Sequence, residues 1–272
     1  MPEPTPYCRT ELHYAGAETP LPIATPIWNG RTVALPGWET CGFELIRAPS
    51  SVGDFTNDNE IAGTHFDEIE LLAKSLTGCD AVLFYPPLLR SPERAAAQPD
   101  LNPIELVHSD YTESYRAMIE DPGHPYHHIL EPSMRRAGIT VAEIRQAQRI
   151  LTLQLWRNVG APKVDYPLSF CDARTVARTE LVPIRISEYG GQKTEFDAFA
   201  VLPPSEDQPH AWYVFPNMTP DEVVVFRAYD SDRDTTGEPF WTPHVSFRDP
   251  NQGADVNPRT SLEMRAICLF RG

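Results

Sequence analysis

The sequence predicts a mainly β fold with a few flanking helices, and three observations support this. Beyond residue 150, apolar side chains alternate with polar ones in almost every segment, which is typical of strands. These segments recur at intervals of roughly 15 to 20 residues and are separated by polar turns. The 28 prolines, scattered through 272 residues, exceed the usual share of about 5% and interrupt long elements. Together these features favour a jelly-roll or related barrel.

The chain is predicted to form a single domain. Its 272 residues, 41% of them apolar, are enough for one large β core. Residues 1–63 contain short apolar pieces broken by turn residues, which indicates a few strands with long connections. We therefore expect residues 1–79 to form an N-terminal extension that packs on a core of about residues 80–272.

The elements are predicted from caps and periodicity. A helix is expected over 64–77 with Thr64 as its N-cap, and another over 140–150, where Thr140 and Glu143 form a capping box. A short helix should follow Thr112 and end at Asp121. Strands are expected over 80–85, 105–111, 151–157, 181–187, 195–202, 211–215, 222–229, 240–247 and 262–270.

Composition excludes several classes of protein. The net charge of −15 argues against binding to nucleic acid or to an anionic membrane surface and leaves small molecules as the expected partners. There is no run of 18 apolar residues and no secretory signal, so neither a membrane span nor export is expected. Five scattered cysteines do not suggest a disulfide framework, which fits a cytoplasmic location. The oligomeric state is left open.

A candidate metal site lies in the predicted strand over 105–111. Residues two apart on a strand project from one face, so His108 and Asp110 should point to the same place. A third ligand is expected at His244, on another strand pattern. Two histidines and one carboxylate form the facial triad that holds non-haem Fe(II) and leaves positions open. The alternative is a surface His–Asp pair and an unrelated core histidine.

Two other histidine groups are interpreted differently. His65 and Asp67 repeat the His-x-Asp spacing, but on a predicted helix residues two apart diverge and cannot chelate one ion. His124, His127 and His128 could form a rival zinc cluster. The Asp-Pro-Gly turn before them and the proline after His124 favour a loop beside the cavity instead.

Two arginines and a serine follow the third histidine. Arg259 comes 15 residues after His244, and Ser261 and Arg265 follow it. Guanidinium donors and a hydroxyl on one strand face suit a dicarboxylate, because arginine binds carboxylates bidentately. Since buried charges are usually paired, a structural salt bridge to Glu263 or Asp255 is the alternative.

Several side chains are predicted to line the cavity. Gln154 and Trp156 should point inward from the strand over 151–157, and Arg157 would do so if the register differs by one residue. Tyr111 and Tyr213 are candidates for stacking on a substrate, although filling the barrel is the alternative, and the favoured one for Tyr213.

Six segments, taken in order, resemble the CmcJ/NvfI family of Fe(II)/2-oxoglutarate-dependent oxygenases. This family of natural-product pathways includes fungal gibberellin desaturase-like and AsaB-like proteins. The resemblance covers roughly residues 80–272. The segments are His108–Asp110, Leu155–Asn158, Trp212–Met218, Asp221–Ser231, Thr242–Asp249 and Arg259–Arg265.

The resemblance implies a double-stranded β-helix, a jelly-roll or cupin-like core. It places Fe(II) on the positions of His108, Asp110 and His244, and the cosubstrate 2-oxoglutarate near Arg259 and Ser261, with O₂ as the oxidant. Arg265 is a partner or alternative for Arg259, and Gln154 is also assigned to the cosubstrate. Substrate-binding residues are expected to be Tyr111, Trp156, Arg157 and Tyr213.

The implied activity is oxidation of an unactivated C–H bond in a small natural-product or amino-acid-derived substrate, with hydroxylation, desaturation or cyclisation as the outcome. A cupin-like metal-dependent hydrolase or isomerase that does not use 2-oxoglutarate is the alternative. It predicts that Arg259 and Arg265 pair with acids and do not line the cavity. A third possibility, a non-catalytic β domain, predicts that purified protein holds no metal.

Overall fold

Two large β sheets form the fold, and the computed structural model describes residues 5–253 and 255–272. This confirms the mainly β prediction. The strands are β1 Cys8–Tyr14, β2 Leu21–Asn29, β3 Phe43–Arg47, β4 Ala81–Phe84, β5 Leu88–Arg90, β6 His108–Ser109, β7 Arg149–Asn158, β8 Leu168–Cys171, β9 Leu181–Tyr189, β10 Gln192–Val201, β11 Trp212–Val214, β12 Glu222–Asp230, β13 His244–Ser246 and β14 Ser261–Phe270.

Eight short helices accompany the strands in the part of the chain that the structure describes. They are α1 Trp38–Cys41, α2 Asp58–Glu60, α3 Phe66–Thr77, α4 Pro92–Ala97, α5 Tyr115–Glu120, α6 His127–Ala137, α7 Val141–Gln146 and α8 Ser231–Thr236. Within residues 5–253 and 255–272, no helix has the length and apolar character required to traverse a bilayer.

The two sheets contribute side chains to the candidate metal site from opposite directions. The eight-stranded sheet has the order β1-β2-β11-β8-β13-β6-β10-β9, and the six-stranded sheet has β3-β12-β7-β14-β4, with β5 also paired to β14. Aromatic side chains pack between them; Phe170 of β8 lies with its ring centroid 5.1 Å from that of Phe226 of β12. His108 and His244 come from the first sheet, whereas Gln154 and Arg265 come from the second.

Strands β7 and β14 separate an outer core from the inner cavity. Their alternate apolar residues, including Leu153 of β7 and Met264 of β14, pack in one buried cluster with Ile69 of α3. The intervening residues point to the opposite face, because side chains alternate across a strand. Gln154 pairs with Arg265 in the β7–β14 ladder, so both lie on the inner face.

The first strands of the chain belong to the same sheets. β2 runs parallel to β11, and β3 pairs with β12. The hydroxyl of Tyr14 in β1 accepts a 2.8 Å hydrogen bond from the indole Nε1 of Trp212 and lies 3.2 Å from His210 Nδ1. The proposed extension over 1–79 is thus hydrogen-bonded into both sheets, and its boundary stays a prediction.

Several predicted boundaries differ from the structure. The helix predicted to begin after Thr64 begins at Asp58, where Asn57 caps it, and continues through a π-helical turn into α3. The capping box of Thr140 is confirmed, although α7 ends at Gln146. Helix α6, which contains Pro132, was missed because the turn residues before it favoured a loop.

We expect Tyr14→Phe to lower the free energy of unfolding by about 1–3 kcal/mol, because it leaves the buried Trp212 indole N–H without an acceptor. Chemical denaturation followed by tryptophan fluorescence measures this change. Tyr166→Phe, which removes a hydroxyl bonded to the exposed Arg248, is the control and should change stability little. An unchanged midpoint for Tyr14→Phe would show that the hydrogen bond does not contribute.

Candidate metal centre

His108, Asp110 and His244 converge at the base of a cavity. Asp110 Oδ1 lies 3.6 Å from His108 Nε2 and 3.7 Å from His244 Nε2. The two imidazole rings face each other across the β6–β13 ladder, with centroids 4.3 Å apart. Within the described ranges, these residues are the only His, Cys, Asp or Glu group of three whose ligand atoms lie within 4.8 Å of one another.

Backbone carbonyls orient both histidines. His108 Nδ1 lies 2.7 Å from the carbonyl oxygen of Leu106, and His244 Nδ1 lies 3.0 Å from that of Thr242. An imidazole that donates from Nδ1 to a carbonyl keeps its lone pair on Nε2. Both Nε2 atoms are the ones directed at Asp110, so each ring presents a ligand atom to the same point.

Two side chains from the six-stranded sheet hold Asp110. Gln154 Nε2 donates to Asp110 Oδ2, and Arg265 Nη2 lies 3.1 Å from the same oxygen. Arg265 also lies 2.6 Å from Glu263 Oε1. Asp110 Oδ1 faces the histidines, so one carboxylate oxygen is held by the protein and the other is directed at the candidate metal position.

The protonation states favour metal binding. Burial lowers the pKa of His108 to about 4 and also lowers the pKa of His244, so both rings are neutral at pH 7. Burial alone would raise the pKa of Asp110, but the charge of Arg265, followed by the two histidines, lowers it to about 2. The three side chains are thus in the deprotonated forms that ligate a metal.

The cavity beside this site has a volume of about 160 Å³ and is lined by both apolar and polar residues. Half of the apolar residues come from the β9–β10 hairpin. The apolar residues are Ile104, Leu106, Trp156, Leu168, Ile184, Ile186, Phe196 and Ala198, and the polar ones beyond the ligands are Arg90, Tyr189, Ser246, Arg259, Glu263 and Arg265.

Arg259 is buried in the cavity wall, and no acid among the described residues forms a salt bridge with it. Its Nη1 donates to Ser246 Oγ at 2.7 Å and to the Tyr166 carbonyl at 2.9 Å, both neutral acceptors. Its Nε and the buried Ser261 hydroxyl have no hydrogen-bond partner in the described part of the chain. Burial, followed by the positive charge of Arg90, lowers the pKa of Arg259 to about 9, so it still carries its charge at pH 7.

The structure does not bring every predicted residue to the cavity. Arg157 points away from it on β7, donating to the Pro220 carbonyl and stacking over Phe55. Tyr213 packs against Phe43 with ring centroids 5.9 Å apart. Tyr111 is buried against Tyr115, with ring centroids 4.1 Å apart. None of these three side chains lines the cavity, whereas Trp156 does. Arg157 and Tyr111 are buried, and Tyr213 is half-buried.

The other histidine groups are also separated from the site. His65 is buried beside Glu68, whereas Asp67 is exposed and pairs with Arg136, so the two diverge as predicted. The predicted loop at 121–128 is a loop only up to Tyr126, because His127 begins α6 and is buried. None of these histidines lines the cavity.

Sequence reasoning missed four polar residues that line the cavity, namely Arg90, Tyr189, Ser246 and Glu263. Glu263 alternates with Ser261 and Arg265 on β14, so the spacing that selected those residues also indicated Glu263. Arg90 ends an apolar strand, β5, and only its pairing beside Ser261 brings it to the site. The sequence signal available for Arg90 was its position at the end of an apolar run.

The fold and the site define a class of protein: a jelly-roll in which two histidines and one carboxylate meet at the base of a cavity. The chain belongs to the family described as oxidoreductase/YMDC permease-like domain, whose model matches residues 24–269. The resemblance to CmcJ/NvfI-like proteins is confirmed by the following relatives.

Two relatives and one solved structure illustrate this. The hydroxylase/desaturase CTB9 of Cercospora beticola is 29% identical over 251 residues, covering 85% of this chain and 71% of the relative. The Fe(II)/2-oxoglutarate-dependent dioxygenase nvfI of Aspergillus novofumigatus is 27% identical over 241 residues, covering 86% and 77%. The structure of the iron and alpha-ketoglutarate-dependent endoperoxidase NvfI matches with a TM-score of 0.73 at 22% identity, covering 97% of this chain and 98% of that one, which supports the fold.

In metal-free protein we expect the His108 imidazole to titrate near pH 4 instead of 6.5, because burial disfavours its charged form. The unfolded chain takes up this proton near pH 6.5, so folding stability should fall as the pH drops from about 6.5 to 4. NMR of the imidazole C–H resonances measures the titration. Asp110→Asn should lower this pKa further, since the Asp110 charge raises it, and a folded-state value near 6.5 would contradict the prediction.

Proposed function

We propose that this protein is an Fe(II)/2-oxoglutarate-dependent oxygenase that oxidises an unactivated C–H bond of a small natural-product or amino-acid-derived substrate. One observation carries the proposal: a two-histidine, one-carboxylate group shares its cavity with a buried arginine that is not ion-paired to any described acid. The first feature suits ferrous iron and the second suits the far carboxylate of a keto-diacid. The relatives named above support this assignment.

The donor set fits iron. Nitrogen from two neutral imidazoles and oxygen from one carboxylate are ligands that Fe(II) accepts, and three ligands on one side leave positions for other molecules. His108, Asp110 and His244 would hold the ion. Bound iron would supply the activation of O₂ and the oxidation of the C–H bond.

The protein's own residues position the other participants. Gln154 and Arg265 fix Asp110, so the carboxylate does not need to reorganise. Arg259 would bind the far carboxylate of 2-oxoglutarate, with Ser246 and Tyr166 holding its guanidinium in place. The Ser261 hydroxyl is unpartnered, but Ser261 does not line the cavity, so its role in cosubstrate binding stays a prediction. Arg265 is already paired with Glu263 and Asp110, which makes it the weaker candidate for the anchor.

The apolar residues of the cavity would bind the substrate. Ile186 pairs with Phe196, and Ile184 with Ala198, across the β9–β10 hairpin, and all four line the cavity. Trp156 adds an aromatic surface nearby. This wall favours a substrate that presents an apolar carbon framework, and it excludes water from the reacting centre.

A cupin-like hydrolase or isomerase is the second candidate, and Arg259 argues against it. That class predicts arginines paired with acids and away from the cavity. Arg265 is paired with Asp110, as the hydrolase reading predicts, but it lines the cavity, contrary to that reading. Arg259 contradicts both expectations, because it lines the cavity and has only neutral partners among the described residues. A buried cation without an acid partner is costly, and one that lies in a cavity wall beside a candidate metal site suits an anionic ligand.

Location and partners complete the proposal. We propose a reducing, cytoplasmic location, supported by five cysteines that are all free and buried. The net charge of −15 supports the absence of a nucleic-acid partner.

We expect His108→Ala to abolish the weak visible absorption that forms when Fe(II) and 2-oxoglutarate are added anaerobically, because one of three metal ligands is lost. His65→Ala is the matched control, since it removes a buried histidine with the same His-x-Asp spacing. It should retain the band. A band of normal intensity in His108→Ala would exclude this residue as a ligand.

We expect Arg259→Ala to weaken 2-oxoglutarate binding by about 10- to 100-fold, because a charge-assisted hydrogen bond to the far carboxylate is lost. Titration of the same absorption band measures the affinity. Arg248→Ala removes an exposed arginine nearby and should leave the affinity unchanged. Normal affinity in Arg259→Ala would transfer the anchoring role to Arg265.

A further inference from the structure

A second buried arginine, Arg90, lines the metal cavity near Arg259. Both residues line this cavity and also a second pocket, which places them near each other in the wall that the two share. Each is about 6% exposed, and neither forms a salt bridge with an acid in the described part of the chain. Two neighbouring guanidinium groups therefore carry positive charge with no acid in salt-bridge contact, although Asp165 and Glu263 lie near enough to raise the pKa of Arg259.

The protein holds Arg90 with neutral groups alone. Its Nη1 lies 3.3 Å from the carbonyl oxygen of Asp100 and 3.0 Å from that of Asn102, and Nη2 donates to the Tyr189 hydroxyl. These acceptors orient the guanidinium and leave its charge uncompensated. The fork of a guanidinium provides five N–H donors, so further donors are available to a ligand.

Burial without an acid partner does not by itself identify a ligand site in this protein. Arg227 is 1% exposed and donates to the carbonyls of Trp38, Glu39 and Pro239, with no acid paired to it among the described residues. It faces none of the described cavities. Arg90 differs from Arg227 because it lies in a cavity wall, beside a second buried cation. An anion bound between the two guanidinium groups would relieve the repulsion between them.

We propose that Arg90 and Arg259 together form a two-cation site for the far carboxylate of the keto-diacid, and that this pair makes the cavity select diacids over monoacids. The inference rests on the proposed function. A carboxylate accepts hydrogen bonds at both oxygens, so one oxygen can face each arginine. Arg90 is thus a binding residue that determines cosubstrate specificity.

The test compares two keto acids that differ only in the far carboxylate. Isothermal titration calorimetry of the full-length protein supplied with Mn(II) gives dissociation constants for 2-oxoglutarate and for the monoacid 2-oxobutyrate. We expect Arg90→Gln to weaken 2-oxoglutarate binding by about 10- to 100-fold and to change 2-oxobutyrate binding less than about twofold. Arg90→Lys, which keeps the charge but not the fork, should weaken only the diacid, and by less.

Arg227→Gln is the matched control because it removes an equally buried arginine bound to carbonyls. It should leave the ratio of the two affinities unchanged. An equal loss for both acids in Arg90→Gln, or no loss, would overturn the proposal and leave the proposed function intact. Failure of the unmodified protein to bind either acid would overturn both. If Arg90→Gln does not fold, the ratio of the affinities of Arg90→Lys for 2-oxoglutarate and 2-oxobutyrate decides. A ratio equal to that of the unmodified protein overturns the proposal.

Discussion

Asp110 is a buried carboxylate, and its compensation by Arg265 and Gln154 is the interaction on which the site depends. A carboxylate at this depth without such partners would have a raised pKa. The partners come from the sheet opposite the two histidines, so the ion pair joins the two sheets at the point where the candidate ligands meet. Packing of the two sheets therefore brings Asp110 together with the groups that stabilise its charge.

Strands β7 and β14 each present one face to the apolar core and the other face to the candidate site, because side chains alternate along a strand. The outer faces of β7 and β14 are apolar and pack against α3, whereas the inner faces carry Gln154, Glu263 and Arg265. A shift of one residue in the register would bury charge under the helix and place leucine in the cavity. The outer apolar cluster thus fixes the positions of the inner polar groups.

Local sequence patterns predicted the candidate metal ligands, whereas pairing between strands that are distant in the sequence determines which other residues reach the site. His108 and Asp110 could be found because residues two apart share a strand face, even though β6 has only two residues. Arg259 was found from its distance to His244. Arg90 reaches the site only through the β5–β14 ladder, which no local pattern specifies. Arg157 was expected to reach the cavity only if the register of the strand differed by one residue, and on β7 it lies on the face opposite Gln154.

The hairpin that contributes to the apolar wall lies at the edge of the eight-stranded sheet, because β9 pairs with β10 and with no other strand among the described residues. Its outward face carries ion pairs such as Arg185 with Asp197, which discourage edge-to-edge association. Since the metal ligands belong to other strands, substitutions at Ile184 or Ile186 alter the wall without moving them. Such separation lets the shape of the cavity change while the candidate metal ligands keep their positions, and it marks this hairpin as the place to begin directed evolution.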